Sequence, residues 1–159
     1  MLRLSRLADY GTVVMVYIAR HPGKFLNARE IATRTHLSQP TVSKLLKILS
    51  NAGLLTSTRG IKGGYRLLRA PDSISVAEII HVLEERQGLT ECSHAEGACA
   101  LEPVCEIRDH WQILNHAVQS ALESVSLEAL AQPKLEERAV DVSQIKTIFR
   151  VMKYDSTNT

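Results

Sequence analysis

Residues 27–68 read NAREIATRTHLSQPTVSKLLKILSNAGLLTSTRGIKGGYRLL, and this stretch decides the fold. Asn27 is a good N-cap for a helix running to Thr35, which buries Ile31 with Ala28 and Ala32. His36-Leu37 makes a tight turn, and Ser38 caps the next helix, whose first turn tolerates Pro40. Val42, Leu45, Leu46 and Leu49 recur at helical spacing and face inward, leaving Thr41, Ser43, Lys44 and Lys47 outward. Asn51-Ala52-Gly53 closes that helix. Two strand-like runs, 54–58 and 65–68, then flank the flexible tip Arg59-Gly60-Ile61-Lys62-Gly63-Gly64.

Upstream, Leu7, Tyr10, Val14, Tyr17 and Ile18 place an amphipathic helix over residues 6–20, ended by His21-Pro22-Gly23. Three helices followed by a basic hairpin, in this order, make a winged helix-turn-helix. The expected fold class is therefore mainly α with a small β-wing. Short or flexible donors near the start of the recognition helix reach base edges in the major groove, and Gln39, Thr41, Ser43 and Lys44 supply them. Arg59, Lys62 and Arg66 on the hairpin reach phosphates or the minor groove, and glycines 60, 63 and 64 let the backbone approach the duplex.

Charge supports this reading. The whole chain of 159 residues carries only +2. Residues 1–70, however, hold twelve Lys/Arg against Asp9 and Glu30, a balance of +10. Residues 71–159 hold seven Lys/Arg against fifteen acids, a balance of −8. A basic half of this kind suits the polyphosphate of double-stranded DNA. With aromatics at only 4%, a stacking platform for single strands is not expected.

Past a Pro71-Asp72 linker, Ser75 caps a fourth helix with Val76, Ile79, Ile80 and Leu83 on its apolar face. Residues 86–103 lack periodicity and read as a loop. A long helix is expected over 104–125, striped by Ile107, Trp111, Leu114, Val118, Leu122 or Ala121, and Val125. Such a helix outside a small domain pairs with its symmetry mate, so a homodimer is expected, with recognition helices about 34 Å apart. A short capped helix over 126–131 ends at Gln132-Pro133; residues 142–151 suggest a terminal helix, and the last five residues suggest disorder. The division of roles is 1–70 for DNA, 71–132 for the loop and dimer helix, and 133–159 for a tail.

No apolar run approaches the ~20 residues that span a bilayer. Val13 to Ala19 is short for a signal-peptide core, has Asp9 ahead of it, and lacks a cleavage site behind it. The expected compartment is the reducing cytoplasm, where thiols stay free. There, Cys92, Cys99 and Cys105 read as metal ligands, with gaps of six and five residues between them. Thiolates select zinc, copper(I) or an iron–sulfur cluster. Structural zinc prefers gaps of roughly two to four residues, whereas wider gaps suit a larger inorganic core. Three thiolates leave one position open, for which His94, Glu96, Glu102, Glu106 and His110 lie nearby. An enzyme or electron carrier is the competing class, but no nucleotide-binding glycine loop or nucleophile motif appears. A regulator with structural zinc or bare redox thiols is the other alternative.

Met1-Leu2-Arg3-Leu4-Ser5 with Asp9-Tyr10-Gly11, Arg59-Gly60 with Gly63-Gly64-Tyr65, and the three cysteines together resemble the Rrf family of winged-helix iron–sulfur transcription regulators. The resemblance covers residues 1–132, and the opening through Thr12-Val13-Val14 looks closest to regulators of the SUF cluster-assembly operon. It implies dimerisation through the long helix, a cluster on the three cysteines, either 2Fe–2S or 4Fe–4S, and DNA affinity set by cluster state, in a repressor or an activator. In the family's IscR pattern a histidine ligand stands three residues after the last cysteine, but here that position is Arg108 and the nearest histidine is His110. In its NsrR pattern the fourth ligand is an aspartate from the other subunit's first helix, and Asp9 matches it.

Overall fold

The computed structural model describes residues 4–60, 62–84, 88–94, 97 and 99–133. The expected helix at 142–151, the tail around it and the candidate ligand Glu96 lie outside the described residues.

Helix α1, Arg6–Ala19, starts at Ser5, whose hydroxyl accepts the Ala8 N–H at 3.1 Å. Helix α2, Ala28–Thr35, starts at Asn27, whose side chain accepts the Glu30 N–H at 2.8 Å. It ends at His36, a left-handed residue with φ 57°, which turns the chain into the Ser38 cap of α3, Gln39–Asn51. Each cap satisfies a donor that the first helical turn leaves orphaned.

Strands β1, Leu55–Thr58, and β2, Gly64–Leu67, pair antiparallel, with Leu55 opposite Leu67 and Thr58 opposite Gly64. Leu26 extends this wing on its other side: Leu26 N–H donates to the Tyr65 carbonyl, and Tyr65 N–H to the Leu26 carbonyl, both at 2.9 Å. The close approach explains Gly64, since a Cβ there would lie 2.5 Å from the Leu26 carbonyl oxygen. The paired glycines thus serve the hairpin's own backbone, a role nearer at hand than the expected clearance for DNA.

The core gathers Val14, Met15 and Ile18 of α1, Ile31 of α2, Leu45, Leu46 and Leu49 of α3, and Leu54. Burying a side chain of this size contributes roughly 1.5–3 kcal/mol. The same core continues past residue 70 through Ile74, then Ile79 and Leu83 of α4, Val76–Leu83, and Leu127 of α7, Leu127–Ala131. Two backbone bonds of 2.8 Å, Val76 N–H to Val125 and Leu127 N–H to Ile74, stitch α7 to the start of α4. Arg20 Nε adds a bond to the Ala131 carbonyl at 2.8 Å.

Two expectations are corrected. The stretch 86–103 is not loop throughout, since it holds α5, Glu91–His94, and leads into a 3₁₀ turn at Glu102–Val104. The long helix, α6, spans Arg108–Glu123 and does not begin at 104. Pro103 sits in the first turn of the 3₁₀ segment, and Cys105 leaves it extended, with φ −87° and ψ 105°, so α6 starts only after Ile107. At the other end, Val125 is buried within its own chain and does not extend an open stripe.

Candidate DNA interface and cysteine loop

The inward face of α3 is fully buried, which fixes its outward face. Gln39, Ser43, Lys44 and Lys47 stand exposed there. Thr41 is half-buried and its hydroxyl pairs with the Ser38 hydroxyl at 2.7 Å, so it belongs as much to the helix cap as to the reading face. On the wing, Arg59, Lys62 and Arg66 are all exposed. The Arg66 guanidinium lies 4.6 Å from the centroid of the Phe25 ring, which restrains an otherwise free side chain. Phe25 escaped the sequence reading, although Phe25-Leu26 before the Asn27 cap is an apolar pair in the position of an extra strand.

Beyond the wing, Arg69 pairs with Glu78 at the start of α4. Asp9 is exposed in the first turn of α1. With Leu4, Ser5, Arg6, Tyr10 and Glu84 it lines an open cavity of about 540 Å³. Glu84 accepts the Ser5 N–H at 2.7 Å, tying the start of α1 to the residue that ends α4.

All three cysteines are free thiols; Cys92 is buried, while Cys99 and Cys105 are half-buried. The Cys92 sulfur lies 3.2 Å from the Thr90 hydroxyl. Among the described residues, no three His, Cys, Asp or Glu side chains converge as a preformed metal site. Glu102 uses both carboxylate oxygens: Oε1 accepts from Arg108 Nη2 and Oε2 from the Gly97 N–H, each at 2.7 Å. Among the described residues, Arg108 Nε is a buried side-chain donor with no hydrogen-bond partner. His110 and Glu106 are exposed.

On α6 only Ala117 is buried; Trp111, Leu114, Val118 and Leu122 remain half-exposed. Near its start, Leu101, Val104 and Ile107 are 66%, 77% and 55% exposed. The apolar stripe is therefore open along most of its length and borders the cysteine loop. No helix among the described residues is long and apolar enough to cross a membrane.

A capped helix-turn-helix with a polar, basic outer face and a flanking basic hairpin defines a winged-helix DNA-binding protein. The family model for Rrf2, an iron-dependent transcriptional regulator, matches residues 4–133, and the chain belongs to that family. It is 28% identical over 141 residues to the transcriptional regulator NsrR of Halalkalibacterium halodurans, covering 87% of this chain and 97% of that one. The solved structure of CymR, described as the global cysteine regulator of B. subtilis, is similar at TM-score 0.66 and 32% identity, covering 82% of this chain and 97% of that one. That of T. potens IscR is similar at TM-score 0.61 and 32% identity, over 81% and 86%. The relatives are named as transcriptional regulators rather than enzymes, and this chain is a DNA-binding transcriptional regulator.

Proposed function

We propose that this regulator works in the cytoplasm as a homodimer and carries an iron–sulfur cluster on Cys92, Cys99 and Cys105, whose state sets its affinity for an operator. The observation that carries the reading is three free thiols within one short segment between the α1–α4 core and α6. Their chemistry fits: soft sulfur donors, none tied in a disulfide, on a segment that leads directly into Arg108, whose buried Nε–H lacks an acceptor among the described residues. When bound, a cluster supplies a centre that gains or loses an electron and reacts with oxidants.

This chain's residues do the rest. Gln39, Thr41, Ser43 and Lys44 read base edges, and Arg59, Lys62 and Arg66 hold phosphates or the minor groove, placing the two heads on successive turns. The open stripe Ile107, Trp111, Leu114, Val118 and Leu122 zips the dimer. Across that interface, Asp9 of the partner subunit completes the ligand set; Asp9 is exposed and lines an open cavity at the start of α1, which leaves its carboxylate accessible to a second chain. A ligand donated between subunits links cluster state to the angle between the reading heads. The genes controlled are those of cluster assembly, by the likeness of the opening residues to such regulators.

A second reading, bare redox thiols without metal, draws on the similar structure described as a cysteine regulator and on the thiols' lack of convergence among the described residues. Colour separates them. Anaerobically purified protein is expected to be brown, with iron and sulfide in stoichiometric amounts; a colourless, iron-free dimer that still binds DNA overturns the cluster reading.

A further inference from the structure

We infer that Arg108 is a hydrogen-bond donor to the sulfur of the group the cysteines hold, kept in place by Glu102; this rests on the cluster reading above. The placement is specific. Gly97 lies between the first two cysteines, Glu102 between the last two, and Arg108 opens α6. The Glu102 carboxylate joins the other two, accepting from the Gly97 N–H and from Arg108 Nη2, while the Arg108 backbone N–H bonds the Cys105 carbonyl at 3.3 Å. Glu102, with both oxygens engaged and its side chain only 12% exposed, is a clamp and not a ligand.

The clamp aims a permanently charged group. It also leaves Nε with its N–H buried and without an acceptor among the described residues. Buried donors are rarely left in this state, and a partner that arrives later is one physical reason to keep one. Thiolate and sulfide sulfurs are weak acceptors that carry negative charge in a cluster, so a fixed N–H and a guanidinium charge complement them. Donors to cluster sulfur raise the reduction potential, and outer-shell partners hold the ligands in place. Arg108 thus contacts the group through hydrogen, whereas the position three residues after the last cysteine holds a ligating histidine in the resembling pattern.

The full-length chain is reconstituted anaerobically as wild type, Arg108→Gln, Arg108→Lys and Glu102→Gln. Each is read by dye-linked redox titration and by the rate of cluster loss to a chelator. In the cluster-free forms, circular dichroism melts check the fold and amide exchange is followed at Gly97. Arg108→Gln is expected to have a more negative potential and roughly tenfold faster loss. Arg108→Lys, which keeps the charge without the Nε–H, is expected to fall between it and wild type. Glu102→Gln is expected to speed exchange at Gly97 and cluster loss together. A loaded wild type matched by a folded Arg108→Gln in potential and loss rate overturns this inference alone. A wild type that takes up no iron or sulfide overturns the cluster reading first.

Discussion

Replacing Gly64 with alanine adds one carbon where the structure leaves no room. The new Cβ would stand 2.5 Å from the Leu26 carbonyl oxygen and 2.7 Å from its carbon, both backbone atoms that no rotamer can move. The Leu26–Tyr65 bridge must open, and its two hydrogen bonds of 2.9 Å go with it. At about 1 kcal/mol net for each bond, that loss is roughly 2 kcal/mol. Leu26 is only 2% exposed. Partial release of its side chain adds roughly 1–2 kcal/mol. The total, about 3–4 kcal/mol, corresponds to a melting temperature lowered by roughly 6–16 °C for a chain of this length. Because the bridge also ties the wing to the segment that leads into α2, DNA affinity at a fixed temperature below the melt is expected to fall, with a shallower salt dependence as wing phosphate contacts are lost. Differential scanning calorimetry and fluorescence-anisotropy titrations at several salt concentrations read both effects. An Arg66→Ala control removes a wing cation and its contact with Phe25 but none of the bridge's hydrogen bonds, so it is expected to flatten the salt dependence while lowering the melt by only about 1–4 °C. A Gly64→Ala protein that melts within about a degree of wild type would refute the claim that the bridge fixes the wing.

Three further outcomes follow from the same geometry. Gly11→Val is expected to cost about 1–3 kcal/mol in thermal denaturation, because even its Cβ would lie 2.2 Å from Leu83 Cδ1 in the α1–α4 contact. Gln39→Ala is expected to relax specificity for operator over random duplex by roughly 1–3 kcal/mol, whereas Arg59→Ala weakens both duplexes alike, as competition titrations will show. Leu114→Glu places an unpaired charge in the proposed seam and is expected to give a folded monomer by sedimentation equilibrium; an unchanged dimer removes α6 as the interface.

Local chemistry made the DNA-reading unit legible. Asn27, Ser38, Ser75 and Ser126 each cap the helix expected of them, because a cap needs only a short polar side chain and three residues of sequence. The left-handed turn at His36 and the pairing of the hairpin follow from equally short patterns. What escaped depends on distance along the chain. Nothing local announces that Leu26 pairs with Tyr65, or that Ile74 meets Leu127. Periodicity also carried the long helix too far, since Ile107 keeps the apolar rhythm after Pro103 and the extended Cys105 have already broken the backbone. Glu102 and Arg108 were readable as residue types near the cysteines, one as a candidate ligand and the other as a departure from a pattern. That one carboxylate of Glu102 holds both Gly97 and Arg108 appears only once the loop is folded.

The most direct test of cluster-governed DNA binding is a single anaerobic titration of a duplex carrying the protein's own promoter with cluster-loaded protein, the same preparation stripped by chelator, and Cys99→Ala. Iron and sulfide are assayed in each sample. Loaded and stripped forms are expected to differ in promoter affinity by roughly tenfold or more, with Cys99→Ala following the stripped curve and random duplex showing no such difference. Superimposable promoter curves from loaded and stripped protein, at verified iron content, would contradict the proposal that the cysteine loop governs the DNA-reading heads.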